Sequence, residues 1–372
     1  MTAKRLRVGI IGMTSDHVWF LGDELAALPD VEIVCGAEPY PELRDRATKQ
    51  WRLPSAYEDY VEMLERETLD AVLVCSDNAS KPAIVEAAAA RGVHVYQDKP
   101  MGATLADANR ILRAVETSGI TLMVAYHTAF DPQYAPVKAL LAGGAIGKPF
   151  LARGVSGHGG PVEYGCTKYF CEWLFDRSRN GGGTFVDEAC YLVDTFLDYL
   201  GPIAEVSAFT AQIGHRDYLP AGVEDSAVAI LRFRSGALGI IDSKWGQVGP
   251  APVRMSYHGT QGTLTQSVRG TELFSTAEPT PPAGWETIDI PAIGHFYGQA
   301  PGLRGWRLPP RQPTTGDSRG AVEPRYFVDA VLGKQTIAGP TSPRVARDTQ
   351  EVIEAVYRSA ETGRAIPLPV TS

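Results

Sequence analysis

The chain has 372 residues, 44% of them hydrophobic, with a formal net charge of -8. That length and apolar content suffice to bury a full core and to divide into two domains, which excludes a disordered chain. Lys and Arg are scattered on an acidic background and no apolar stretch approaches the ~20 residues of a membrane span, so nucleic-acid and membrane partners are excluded and a small molecule is expected.

Near the start, Val8-Gly9-Ile10-Ile11-Gly12 is too short for a signal-peptide core and reads as a first strand, which places the protein in the cytoplasm. From there to about residue 125, short apolar runs alternate with helical patterns. The runs are 7–12, 31–37, 71–75, 93–96 and 121–126; the helical segments are 19–28, 42–50, 81–91 and 105–118. This alternation predicts right-handed βαβ units and a doubly wound parallel sheet, a nucleotide-binding domain over 1–125.

Beyond residue 126 one long helix, 183–200, is followed by alternating segments at 203–212, 224–233, 237–244, 253–258 and 262–266, separated by turn pairs such as Ser235-Gly236. They predict an antiparallel meander and an α+β second domain over 126–372, with a last helix at 342–362 ended by Gly363. The segment 291–320, rich in Pro, Gly and Arg, reads as a lid or interface loop. Five cysteines without a Cys-x-x-Cys pair read as buried free thiols. Cys166, Cys171 and His158 match no zinc spacing, and no metal is expected.

Three constellations carry chemistry. In the first βα turn, Gly12-Met13-Thr14-Ser15-Asp16-His17, the later positions of a Gly-x-Gly-x-x-Gly fingerprint hold Thr14 and His17. Its backbone amides and the Thr14 and Ser15 hydroxyls still suit a phosphate, while Ser15 or Asp16 as a plain N-cap is the alternative. Glu38 ends the second strand where an acid meets the adenosine ribose, and a carboxylate there repels a 2′-phosphate, favouring NAD over NADP; a solvated strand-end acid is the bland reading.

Lys99-Pro100 closes the strand at 93–96. The residue before proline is held extended, so Lys99 sits at a strand end, where open parallel sheets bind ligands. Alone it would read as a surface lysine. The third constellation is Gly181-Gly182-Gly183 before a helix that carries Asp187 and Tyr191 at i and i+4, facing one way; a solvated polar face is the alternative, and three glycines point to a close approach by another backbone or a ligand.

Together, the Gly12 turn, Asp98-Lys99-Pro100, the Gly-Gly-Gly-x-x-x-Asp-x-x-x-Tyr helix, and the tail segments Phe327-Val328-Asp329-Ala330 and Glu354 to Ala360 resemble the glucose-fructose oxidoreductase, inositol dehydrogenase and rhizopine catabolism (Gfo/Idh/MocA) family over nearly the whole chain. The resemblance implies an N-terminal Rossmann domain and a C-terminal domain with a large open sheet that forms a homodimer or homotetramer. It implies NAD contacts from Gly12, Met13, Thr14, Ser15, His17, Glu38, Ser76, Asn78, Asp98 and Lys99. Lys99, Asp187 and Tyr191 are the implied catalytic residues, with His127, Lys168, Trp173, Asp187 and Tyr191 toward the substrate. Tyr191 stands where most members have His. With an unperturbed pKa near 10 it needs a cation to act as a base, and Lys99 is the expected one.

The implied activity is NAD-dependent hydride transfer from a secondary hydroxyl of a sugar, glycoside or cyclitol. Redox-neutral glycoside cleavage by oxidation, elimination and re-reduction is the alternative, motivated by His127, His158, Tyr164, Lys168, Tyr169 and His295. A non-catalytic ligand-binding relative, suggested by the degenerate glycine turn, comes last.

Overall fold

The computed structural model describes residues 5–214, 216–249, 251, 253–267, 270–276, 284–288 and 322–371. The expected loop at 291–320, with His295, lies outside the described residues. Those described divide into two compact units, the first built from 5–126, 167–181 and 322–350, the second from 127–166, 182–288 and 351–371. The sequence pattern assigned everything after 125 to a second domain. The chain instead returns twice to the first unit, because side chains of the later segments are bonded there.

In the first unit the elements alternate as β1 (Leu6–Ile11), α1 (His17–Ala26), β2 (Val31–Ala37), α2 (Pro41–Trp51), β3 (Ser55–Tyr57), α3 (Tyr60–Arg66), β4 (Ala71–Val74), α4 (Lys81–Ala89), β5 (His94–Asp98), α5 (Leu105–Ser118) and β6 (Leu122–Ala125). The six strands are parallel in the order β3-β2-β1-β4-β5-β6. Strand order reverses between β1 and β4, so the carboxyl ends of β1, β2, β4 and β5 border the switch-point crevice where such sheets bind ligands. Every residue of β4 is apolar and buried, as befits a strand covered on both faces. A capping box between Thr104 and Asp107 starts α5, and Gly119 in the left-handed region ends it.

The second unit holds α6 (Tyr134–Ala142), β7 (Pro149–His158) and α7 (Pro161–Tyr164), whereas α8 (Lys168–Leu174) and α9 (Arg177–Asn180) belong to the first. The helix expected from 183 to 200 is a π-turn, Phe185–Ala189, followed by α10 (Cys190–Leu200). Then come β8 (Ile203–Ala211), β9 (Ser226–Phe233), β10 (Leu238–Trp245), β11 (Met255–Gly259), β12 (Gly262–Ser267), β13 (Gly270–Ser275) and β14 (Glu286–Ile288). After the first unit's α11 (Val322–Val331) come α12 (Pro343–Thr362) and the edge strand β15 (Ile366–Pro367).

The nine strands order as β14-β13-β12-β11-β7-β10-β9-β8-β15, antiparallel except for the β7–β10 pair. Helix α10 lies on β7 at Gly154, where an added Cβ would stand 2.9 Å from Leu192 and 3.2 Å from Phe196. Along β9 burial alternates strictly, so one face is covered and the other is open. No helix among the described residues is long and apolar enough to cross a membrane.

Candidate active site

The first unit gathers the expected nucleotide residues at its strand ends. Gly12 turns with φ +78°, and a Cβ there would lie 2.7 Å from the Ser76 backbone, so the turn after β1 passes too close to the end of β4 for any other residue. Met13 N–H donates to Glu38 Oε2 at 2.6 Å, and Tyr40 N–H to Glu38 Oε1 at 3.0 Å. Glu38 is thus buried at the β2 end and braced by backbone; burial raises its pKa while these two N–H groups oppose the rise. Each oxygen keeps a second lone pair for a hydroxyl donor.

Ser15 Oγ donates to Asp98 Oδ2 at 2.8 Å, and His17 Nδ1 lies 3.0 Å from Asp98 Oδ1. Burial pushes the Asp98 carboxyl up, but His17, Lys81 and Lys99 outweigh it and hold the group well below the usual carboxylate range. Ser15 and His17 therefore join the turn to the β5 end instead of standing free. Thr14 is buried beside them. Among the described residues the backbone N–H groups of Thr14 and Asp16 have no protein acceptor, a pair of free donors at the start of α1 that suits a pyrophosphate.

At the β4 end, Ser76 Oγ donates to the Asp77 carbonyl. The Asn78 side chain is spent inside the unit: its Nδ2 donates to Asn180 Oδ1 at 2.9 Å and its Oδ1 accepts from Lys81 Nζ at 2.8 Å. Asn78 thus braces the site, and the carboxamide itself is not turned toward a ligand. Lys99 follows β5 through a cis peptide to Pro100 and is 5% exposed.

Segment 167–181 runs along the same edge. Asp16, which reads as an N-cap, makes no capping bond; its carboxylate accepts Thr167 N–H and Oγ1, both at 2.7 Å. The Phe170 ring lies 5.7 Å from His17, Tyr169 meets Tyr40 edge-on at 5.1 Å, and Arg179 pairs with Asp77 at 3.1 Å. Of the expected substrate residues, Trp173 is buried in this segment with an indole N–H that has no partner among the described residues, and Lys168 is exposed over the Tyr169 ring. Both fall in the unit with the nucleotide residues.

The second unit carries the other candidates. Gly182 and Gly183 leave no room for a ligand: an added Cβ would meet the Tyr357 hydroxyl at 2.0 Å and the Glu224 carbonyl at 2.0 Å, respectively. Glu224 then accepts the N–H groups of Gly183 at 2.8 Å and Phe185 at 3.0 Å, and its carbonyl accepts that of Thr184 at 3.0 Å. This anchors the π-turn, a one-residue insertion common at functional sites, which carries Asp187 and Glu188.

Tyr191 Oη lies 3.3 Å from His127 Nδ1 with the two rings 4.6 Å apart. Asp187 is buried, and its carboxylate lies within 4.8 Å of His158 and Glu188. Such a trio invites a cation. However, His158 Nδ1 accepts Gly160 N–H at 3.0 Å, so Nε2 bears the proton and faces Glu188 Oε1 at 3.2 Å. A proton occupies the lone pair a metal would need. All five cysteines are free thiols.

Three residues beyond Tyr191, Asp194 is fully buried with no partner for Oδ2 among the described residues. Burial, opposed only by Thr195 bonds, lifts its pKa well above 3.8. The folded state then holds more protons than the unfolded state from pH 3.8 up to the raised value, so stability falls as pH rises through that window. Asp194→Asn is expected to abolish this slope, gaining about 1.4 kcal/mol over the parent per pH unit within the window. Urea denaturation at pH 5 and pH 8 reads it; an unchanged difference between parent and variant contradicts it.

The buried bonding of Lys81, the π-turn and the Glu188–His158 pair lie outside the expectations drawn from sequence. For Lys81 a signal existed: it shares the buried stripe of Ile84, Val85 and Ala88 on α4, and a charge on such a stripe is bonded inside. A one-residue insertion leaves no period to read.

Comparison with known proteins identifies the family of both halves of the chain. Residues 6–126 match the model described as oxidoreductase family, NAD-binding Rossmann fold, and residues 134–265 the GFO/IDH/MocA C-terminal domain. Myo-inositol 2-dehydrogenase of Thermotoga maritima is 29% identical over 276 residues, covering 73% of this chain and 79% of that protein. D-apiose dehydrogenase of Paraburkholderia graminis is 27% identical over 99% of this chain and 91% of its own. A levoglucosan dehydrogenase solved with NADH shares the fold at a TM-score of 0.80, with 22% identity over 99% of this chain and all of that one.

Proposed function

The chain belongs to the Gfo/Idh/MocA oxidoreductase family and is an NAD-dependent oxidoreductase acting on a sugar or cyclitol hydroxyl, and we propose that Tyr191, backed by His127, takes the proton from that hydroxyl. The observation that carries this reading is the 3.3 Å approach of Tyr191 Oη to His127 Nδ1. A tyrosine of ordinary pKa is a poor base near neutrality, but an imidazole that accepts its proton makes the pair one. Thus the histidine that most relatives are expected to place on the helix is supplied here from the segment after β6.

NAD supplies the hydride acceptor. The free N–H groups of Thr14 and Asp16 suit its pyrophosphate, and the Glu38 carboxylate suits ribose hydroxyls and opposes a 2′-phosphate. Lys99 places positive charge at the carbinol oxygen, and Asp187 orients the reacting groups. Proton removal and hydride loss then proceed from one carbinol.

The test is a panel of myo-inositol, scyllo-inositol, D-apiose, levoglucosan and D-xylose with NAD, read by NADH formation. At least one is expected to be oxidised. Aglycone release from glycosides without NADH would replace this reading by redox-neutral cleavage, and absence of NAD binding by calorimetry would make the chain a non-catalytic relative.

A homodimer or homotetramer through the second unit's sheet is part of the proposal. Val228 and Ile230 on β9, Phe209 opposite Val228 on β8, and Leu238 on β10 are exposed together, a patch of the kind that marks an interface. Val228→Lys with Ile230→Lys is expected to reduce the sedimenting species to half its mass or less while NAD binding persists. An unchanged mass rejects this face. A cytoplasmic site of action fits the five free thiols.

A further inference from the structure

Lys81 opens α4 with none of its surface exposed. Its Nζ donates to Asn78 Oδ1 at 2.8 Å and to the main-chain oxygens of Asp98 at 2.7 Å, Lys99 at 3.1 Å and Pro100 at 2.9 Å. Three N–H bonds therefore serve four acceptors. No carboxylate among the described residues pairs with it directly; the Asp98 carboxylate is engaged by Ser15 and His17.

The charged and titratable groups that face it are Asp98 and Lys99 from the β5 end, and Cys75 and Asp77 from the β4 end, with Arg179 beyond Asp77. Burial outweighs the acids and brings the ammonium down to about 8. A lysine needed only for helix packing would be served as well by methionine, since a buried charge seldom adds net stability. Methionine here would take the ammonium from three consecutive carbonyls of one turn, leaving Pro100 the long 3.4 Å bond from Gln97 Nε2, and that turn carries Lys99.

We propose that Lys81 is a positioning residue for Lys99: its buried ammonium draws the carbonyls of Asp98, Lys99 and Pro100 to one point, fixes the turn from which the Lys99 side chain departs, and keeps a second positive charge beneath it. The importance of this for turnover rests on the reading above, in which Lys99 serves the carbinol oxygen.

The experiment compares NAD-loaded parent, Lys81→Met and Lys81→Arg by two readouts. Competitive labelling with trace acetic anhydride across pH, quantified by mass spectrometry for Lys99 against exposed Lys168, needs no sugar. In Lys81→Met the Lys99 labelling at pH 7, where the parent's Lys81 still carries its proton, is expected to fall several-fold relative to Lys168, because a like charge that favoured the free amine has gone, and in Lys81→Arg to stay near the parent value.

With the fastest sugar of the panel, Lys81→Met is expected to lose about 10²-fold in kcat with KM for NAD nearly unchanged, as for a misplaced catalytic group. Lys81→Arg should restore most of it and move upward the alkaline limb expected for the parent near pH 8, since a guanidinium keeps its proton. Unchanged Lys99 labelling at pH 7 or parental kcat in Lys81→Met overturns the proposal. If that variant does not fold, an unmoved alkaline limb in Lys81→Arg overturns it equally. Absence of turnover by the parent on every sugar rejects the catalytic reading instead, and the labelling still decides this one.

Discussion

Tyr191→Phe is expected to lower kcat by about 10³-fold with NAD affinity essentially unchanged, the loss typical of a removed general base. The substitution is conservative where it needs to be: the phenyl ring keeps the 4.6 Å packing on His127 and the buried place on α10, and only the hydroxyl is lost. His127→Asn tests the other half of the pair. It should cost about 10²-fold and remove from the pH–rate profile a limb that belongs to the tyrosine–histidine pair as a unit. Steady-state rates with an oxidised sugar, alongside calorimetric NAD titrations, separate chemistry from binding. A loss below tenfold in Tyr191→Phe would exclude this hydroxyl from the proton transfer.

Gly183→Ala is expected to destabilise the second unit by about 3 kcal/mol or more, the upper range for overpacking a rigid site. Its Cβ would stand 2.0 Å from the Glu224 carbonyl and 2.8 Å from Glu224 Oε2. Neither atom is the loose end of an exposed side chain: the carbonyl accepts Thr184 N–H, and the carboxylate accepts Gly183 and Phe185 N–H together with the Tyr357 hydroxyl. Relief means pulling Glu224 away and freeing the amides at the start of the π-turn. Gly236→Ala is the control, a turn glycine at φ +88° with nothing within 4 Å of the added carbon, expected to cost only about 1 kcal/mol of backbone strain. Equal denaturation midpoints for the two variants would contradict this account.

The first unit's strands are legible from sequence because each parallel strand is a short apolar run with a helix on either side, as Ala71–Val74 illustrates. Glu38 and Lys99 could be placed at strand ends for the same reason. The three glycines mark the limit of a local pattern. Glycine reports that something comes close but not what, and here the Ala103 carbonyl, Tyr357 and Glu224 arrive, not a ligand. Likewise, nothing local to Thr167 announces a bond to Asp16, 151 positions earlier. The expected activation of Tyr191 by Lys99 rests on the family resemblance, which also points to His127; the 3.3 Å approach within the tyrosine's own unit favours His127 as its partner.

Segment 167–181 has a practical consequence for recombining this protein with its relatives. Its side chains complete the loops after β1, β2 and β4, so a fragment cut at residue 126 would leave the Asp16 carboxylate without Thr167, Asp77 without Arg179 and Asn78 without Asn180. The first unit is not a contiguous module in the gene. A chimaera meant to join this nucleotide-binding half to another substrate half must carry 167–181 and 322–350 with residues 5–126; a single crossover at the apparent boundary would graft a stranger's segment onto three loops that were shaped for this one.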